Sequence, residues 1–179
     1  GFYFKKAVNS SADTQGVKFR SYNTATATFA AGLGMVPVQV EAAELSQALA
    51  TGVAEAFISS GATGYDRKVW EQLGYYYKVN AWMPRNYVMV NKGVWDALDA
   101  TTQAAVQKAG DETGADCSAK SESLANWYFE QLEANGMKVE DASPEFLKEL
   151  QAIGVTMTAD WLAAAGADGQ AILDAYNAN

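Results

Sequence analysis

The first sixty residues of the chain alternate short apolar runs with segments of helical character. The apolar runs at residues 17–22, 35–40 and 53–59 are typical of strands, and the segments at 24–33 and 41–50 between them are typical of helices. A strand, a helix and another strand at this spacing form right-handed crossovers. The pattern therefore predicts an α/β fold with a mainly parallel sheet flanked by helices.

Two more strand-like runs, at residues 75–79 and 86–91, lie on either side of Pro84. After residue 91 the alternation ends and a helical pattern begins. We therefore divide the chain at this break. Residues 1–85 are expected to form one α/β lobe, and residues 86–179 a returning strand, a long helix and C-terminal helices.

The second half of the sequence has the pattern of long helices and a clear helix start. A periodic segment runs from about residue 99 to residue 135, and its length suits a helix that spans two lobes. Residues 137–139 resemble a short strand. Ser143 followed by Pro144 predicts the start of another helix, because serine is a favoured N-cap and proline is favoured at the first helical position. The alanine-rich segment 158–177 is also expected to be helical.

The composition excludes several kinds of chemistry. The sequence has no histidine and one cysteine, Cys117. It therefore has no Ser-His or Cys-His pair, no histidine metal ligand, no intramolecular disulfide and no multi-cysteine zinc site. We expect neither a metal nor a cofactor.

Charge and hydropathy narrow the choice of partners. The net charge is −8, and no cluster of lysines and arginines forms the basic face that nucleic acid requires. No run approaches the roughly 20 apolar residues of a membrane span, and residues 1–6 lack a signal peptide's apolar core. We expect a soluble chain, either already processed or part of a longer one.

Polar residues follow two of the predicted parallel strands at the edge where α/β sheets bind ligands. Arg20 and Asn23 lie at the end of the first strand, and Ser59 and Ser60 end the third. An arginine fork binds a carboxylate through two parallel hydrogen bonds, so this set suits a small anion. The alternative is that Arg20 forms an ordinary ion pair with a surface glutamate.

A second group of candidate residues flanks the break at Pro84. Aromatic walls with a few polar tips are typical of small-molecule pockets, but also of ordinary cores. Most aromatics between residues 65 and 87 are expected to be core. We expect two residues beside the break, Trp82 and Asn86, to face the ligand instead, on the side of the lobe that carries Arg20.

Four blocks of sequence, in order between residues 13 and 98, resemble one known family. They are DTQGVKFR at 13–20, GMVPV at 34–38, ELSQALATGV at 44–53, and PRNYVMVN at 84–91 followed by WDAL at 95–98. Together they resemble the DctP-type solute-binding proteins of TRAP (tripartite ATP-independent periplasmic) transporters.

The resemblance implies a periplasmic-binding-protein type II-like fold, in which two α/β lobes close on a ligand. It implies that residues 1–85 are the second lobe, that the long helix spans both lobes, and that Arg20 binds the substrate carboxylate. Ser59 stands where many members have a ligand-contacting asparagine. Most of the first lobe, which precedes Asp13 in the family, is missing.

The function implied is the capture of a small organic acid in the periplasm for the membrane subunits of a TRAP transporter, without catalysis. A sheet edge left by the missing part would lead to dimerisation or to association with that part. Two alternatives stay open: an α/β enzyme that uses Arg20 as an anion clamp and Ser59 or Ser60 as nucleophile, and a ligand-sensing or scaffold domain of the same fold.

Overall fold

The computed structural model describes residues 1–81 and 86–178. Six strands form one sheet in the order β3-β2-β4-β1-β5-β6. The strands are Phe2–Phe4 (β1), Lys18–Ser21 (β2), Val36–Gln39 (β3), Ala56–Ile58 (β4), Tyr75–Lys78 (β5) and Lys138–Asp141 (β6). The α-helices are Thr24–Gly32 (α1), Leu45–Ala50 (α2), Gly61–Asp66 (α3), Lys92–Asp96 (α4), Ala100–Ala134 (α5) and Pro144–Asn177 (α6).

The sheet is mainly parallel, which confirms the predicted fold class. Strand β2 pairs in parallel with both β3 and β4, and β5 pairs in parallel with β6. Strand β1 is the exception, because it lies antiparallel between β4 and β5. Strand β1 was not predicted from the sequence. Its three residues are too few to give a periodic signal, and its partners lie more than fifty residues away.

The core consists of two clusters, one on each face of the sheet. Successive side chains of a strand point to opposite faces, and β1 illustrates this directly. Phe2 and Phe4 belong to the cluster that includes Phe19 and Phe146. Tyr3 belongs to the other, with Phe57, Tyr76 and Leu132. Helices α1 and α6 contribute to the first cluster, and α2 and α5 to the second.

The helix boundaries follow from local capping. Asp99 begins α5 by accepting a hydrogen bond from the backbone N–H of Thr102, and Ser143 begins α6 by accepting one from Phe146. Helix α5 matches the predicted segment 99–135. Helix α6 begins at the predicted Pro144 and continues through the predicted segment 158–177. Helix α6 is interrupted at Gly166, whose φ of 62° and ψ of −143° are not helical.

One predicted strand is wrong. Residues 86–90 carry no regular secondary structure, and Val88 is 101% and Met89 86% exposed. A strand needs a neighbour to which its backbone can hydrogen-bond, and no strand of the described sheet lies beside this segment. We call residues 86–127 the exposed arm, because 104–121 and 123–127 of α5 are also exposed throughout.

No helix within residues 1–81 and 86–178 is long and apolar enough to cross a membrane. Strand β6, which follows the long helix, returns to the same sheet as β1–β5. The division of the chain at residue 85 into a second lobe and a returning half stays a prediction.

Candidate functional site

The carboxyl ends of five strands meet at one edge of the sheet, because β2–β6 run in the same direction. Tyr22 follows β2, Ser59 and Ser60 follow β4, and Asn80 follows β5. Strand β1 runs the opposite way and brings Gly1 to the same edge, where it exchanges backbone hydrogen bonds with Ser59.

A cavity of about 790 Å³ opens along this edge. Tyr22, Ser59, Ser60 and Thr63 line it from the sheet side, and Asn86 lines it from the start of the exposed arm. The opposite wall is one face of α5. Its lining residues are Cys117, Lys120, Ser121, Leu124, Ala125, Tyr128 and Phe129. Their spacing of three and four residues is that of one helix face.

Arg20 is buried beside this cavity but does not line it. The residue is 6% exposed, and its Nε donates a 2.8 Å hydrogen bond to the carbonyl of Val40. The guanidinium carbon lies 4.7 Å from the ring centroid of Tyr22, which does line the cavity. Burial lowers the pKa of Arg20, while Tyr22 and Glu41 raise it. An arginine keeps its charge at neutral pH even so.

The alternative of a surface ion pair for Arg20 finds no support in the described residues. Within residues 1–81 and 86–178, no carboxylate oxygen lies within 4.0 Å of its guanidinium. The positive charge of Arg20 is therefore buried without a close counter-ion. Burying an unpaired charge costs free energy, unless another group provides the counter-ion.

Asn23 is the N-cap of α1. Its side-chain oxygen accepts hydrogen bonds from the backbone N–H of Thr26 at 2.8 Å and from the Thr26 hydroxyl at 2.9 Å. The residue is exposed and does not line the cavity. In the described chain, Asn23 therefore stabilises the start of α1. Contact with a ligand stays a prediction.

Ser59 and Ser60 are held by Thr63, one turn along α3. The Ser59 hydroxyl donates to Thr63 Oγ1 at 2.8 Å, and the Ser60 hydroxyl accepts from the backbone N–H of Thr63 at 3.3 Å. Both serines line the cavity. The structure thus brings Ser59, Ser60 and Asn86 to one cavity, places Arg20 and Asn23 beside its rim, and leaves Trp82 outside the described residues.

The helical wall of the site was not predicted from the sequence. The α5 residues are spread over thirteen positions of the helix, so only the helix spacing could have grouped them. Asn80 adopts the left-handed conformation at φ 52°, which asparagine tolerates better than most residues. No group of three or more potential metal-ligating side chains comes together in the part of the chain that the structure describes.

Comparison with known proteins gives a consistent result. A search of curated proteins finds no match. A TRAP solute-binding protein specific for pyroglutamate, from an unidentified microbe of a marine metagenome, is 75% identical with a TM-score of 0.96. That match covers 100% of this chain and 59% of that one.

Two extracytoplasmic solute receptors of Bordetella pertussis that bind pyroglutamic acid are also similar. DctP6 is 42% identical with a TM-score of 0.95, over 100% of this chain and 60% of that one. DctP7 is 41% identical with a TM-score of 0.94, over 98% of this chain and 58% of that one. This chain therefore spans less than two thirds of the length of these relatives.

The family model described as bacterial extracellular solute-binding protein, family 7 (DctP), matches residues 2–163, which is most of the chain. The resemblance seen in the four sequence blocks is thereby confirmed. The chain belongs to the DctP family of bacterial extracellular solute-binding proteins.

Proposed function

We propose that this chain is the C-terminal portion of a periplasmic receptor that captures a small organic acid and delivers it to the membrane subunits of a TRAP transporter. Pyroglutamate is the first ligand to test, because the 75% identical marine protein and both Bordetella receptors bind it. The receptor performs no chemistry on its ligand.

The buried guanidinium of Arg20 is the observation that carries this proposal. It is 6% exposed, has no carboxylate within 4.0 Å in the described residues, and stacks on Tyr22 at the rim of the cavity. A ligand carboxylate would supply the missing counter-ion and use the remaining N–H donors of the guanidinium. Ser59, Ser60 and Asn86 would then bind the polar groups of the same ligand, with Asn23 and Trp82 at its edges.

A catalytic role for Ser59 or Ser60 is not supported by their partners. Ser59 donates to the hydroxyl of Thr63, and Ser60 accepts from the Thr63 backbone. A serine nucleophile needs an adjacent general base, and neither bond supplies one. Mass spectrometry of candidate acids incubated with the receptor tests this point, because any turnover would favour the enzyme alternative over binding.

The decisive experiment is calorimetric titration of the full-length receptor with pyroglutamate and a panel of other small acids. Removing one member of a buried charge pair costs about 2–5 kcal/mol, which at about 1.4 kcal/mol per decade is at least a thirtyfold loss of affinity. Arg20→Ala should show that loss. Arg20→Lys should recover only part of it, because lysine restores the charge without the planar fork.

Arg67 provides the matched control. It is exposed at the end of α3 and does not line the cavity. Arg67→Ala removes the same charge and should leave the affinity unchanged. Equal affinities for the wild type, Arg20→Ala and Arg20→Lys would remove Arg20 from the site.

The exposed arm supports a further part of the proposal, which is association with the missing N-terminal part or with a second copy. Tyr87, Val88 and Met89 are 74%, 101% and 86% exposed. Such a run of apolar residues, which pairs with no strand of the described sheet, is a template for strand pairing. Light scattering of the 179-residue chain, with and without the N-terminal part, distinguishes the two partners. A monomer that does not bind the N-terminal part would contradict both.

A further inference from the structure

Tyr3 is fixed beneath the cavity although it does not line it. It is the central residue of β1, is 0% exposed, and pairs on either side with Phe57 and Tyr76. Its ring stacks on Phe57 at 4.4 Å with an interplanar angle of 4°, and lies 4.6 Å from the ring of Tyr76. The phenol ring therefore has little freedom to move.

The hydroxyl of Tyr3 reaches the turn that carries the two serines. It donates a 2.8 Å hydrogen bond to the carbonyl of Ser60. Burial raises the pKa of the phenol strongly, whereas a hydrogen bond from the Gly64 backbone lowers it. Tyr3 therefore stays a neutral donor at every physiological pH, and its hydroxyl holds the Ser60 carbonyl at the start of α3.

Gly64 gives the phenol the space that it occupies. A Cβ at this position would lie 2.7 Å from Cζ and 2.8 Å from Cε1 of Tyr3. Atoms at that distance must move apart, and the ring is held in place by Phe57 and Tyr76. A side chain at residue 64 would therefore displace the phenol from Ser60.

We propose that Tyr3 is a positioning residue for the ligand-binding turn formed by Ser59 and Ser60, and that Gly64 is the glycine its phenol requires. This role depends on the cavity binding an organic acid, as proposed above. Without the phenolic hydroxyl, the Ser60 carbonyl loses its side-chain donor and the turn gains conformational freedom. A ligand must then order the turn again, and this reduces its affinity.

Tyr77 supplies a matched control on the opposite face of the sheet. It is 3% exposed, and its hydroxyl accepts a 3.0 Å hydrogen bond from the backbone N–H of Val8. It packs with Phe4 in the other core cluster and does not line the cavity. Tyr3→Phe and Tyr77→Phe each delete one buried hydroxyl that is bonded to the backbone, but only the first touches the serine turn.

The test is titration of the full-length receptor with pyroglutamate. Tyr3→Phe should weaken binding about three- to tenfold, which is the loss expected for re-ordering one or two groups. Tyr77→Phe should bind like the wild type, even if both variants unfold at similarly lowered temperatures. Gly64→Ala, which keeps the hydroxyl but displaces it, should weaken binding at least as much as Tyr3→Phe.

Amide hydrogen exchange without ligand gives a second readout. Tyr3→Phe and Gly64→Ala should speed exchange at residues 61–66, and Tyr77→Phe should not. Equal affinity of Tyr3→Phe and the wild type, or an equal loss in Tyr77→Phe, would overturn the positioning role while leaving the proposed function intact. Failure of the wild type to bind any small acid would instead overturn the proposed function, and the positioning role with it.

Discussion

The sheet and the exposed arm contain similar apolar side chains but differ in what covers them. Phe2, Phe19 and Phe57 in the sheet are each 0% exposed. Val88 and Met89 in the arm are 101% and 86% exposed. The sheet, with the helices on its two faces, therefore buries its own hydrophobic surface. The arm does not, and we infer that its apolar side chains are covered by a surface outside the described residues.

Helix α5 shows the same contrast within one element. Leu132, near its C-terminal end, is 0% exposed against the sheet, and Val106, in its first half, is 44% exposed. The proposed ligand cavity lies where the helix passes from one environment to the other, since its wall includes Leu124 and Phe129.

The largest expected effect is in the sheet. Phe146 is 0% exposed and makes edge contacts with Phe2 and Phe4 at 6.0 and 6.3 Å between ring centroids. Phe146→Ala would leave a cavity in this cluster and should cost about 3–5 kcal/mol in the free energy of unfolding. Urea denaturation of the full-length receptor measures the loss.

Val106→Ala is the corresponding change in the arm. Because Val106 is half exposed on a helix, its truncation should change the free energy of unfolding by less than about 0.5 kcal/mol. The contrast between sheet and arm would fail if the two substitutions had similar costs. A large cost for Val106→Ala in the full-length receptor, but not in the 179-residue chain, would instead show that the remainder of the protein covers the arm.

An effect smaller than that of Phe146→Ala, and of opposite sign, is expected at Gly114. This glycine lies in the middle of α5, and a Cβ built on it meets no atom within 4 Å. Replacing a mid-helix glycine by alanine stabilises a helix by about 0.5–1 kcal/mol when there is room for the methyl group. Gly114→Ala in the 179-residue chain should therefore raise the free energy of unfolding, as measured by thermal denaturation.

The effect of Gly114→Ala in the 179-residue chain should also be compared with its effect in the full-length receptor. If Gly114→Ala is stabilising in the short chain but destabilising in the full-length protein, a backbone or side chain of the remainder lies close to Gly114. If it is stabilising in both, this part of the arm faces solvent in the whole receptor. A destabilised short chain would contradict the open space seen around Gly114.

The contrast also explains which features could be predicted from sequence. Strands β2–β5 and helices α1 and α5 were predicted because the periodicity of an element lies within its own sequence. The start of α6 was predicted because its capping residues, Ser143 and Pro144, are adjacent in sequence. The segment at residues 86–91 has the sequence of a strand but no strand beside it in the described chain. Sequence shows the tendency to pair, but only tertiary structure shows whether a partner is present.

The candidate site was predictable only where its residues follow strands. Ser59 and Ser60 were found in this way, and both line the cavity. Tyr3 was missed because a three-residue antiparallel strand has no periodic signal, and its role depends on a contact with Ser60 across fifty-seven positions. The helical wall was missed because helix spacing does not distinguish a face that lines a cavity from a face in solvent.

The smallest expected effect is a local response to pH at the start of α5. Hydrogen bonds from the hydroxyl and backbone of Thr102 lower the pKa of Asp99 below its ordinary value of 3.8. Because the folded pKa is lower than the unfolded one, this contribution to stability is complete above pH 3.8 and is lost as the pH falls through the folded pKa. Acid should therefore fray the first turn of α5, in the arm, before it affects the serine turn at the sheet edge.

Carbon NMR of the Asp99 carboxyl measures its titration, and amide exchange at residues 101–103 measures the fraying of the first turn. Asp99→Asn, which keeps the capping oxygen but cannot titrate, should make the first turn insensitive to acid. An Asp99 that titrates at or above 3.8, or a turn that frays equally in Asp99→Asn, would show that this cap does not hold the start of the arm.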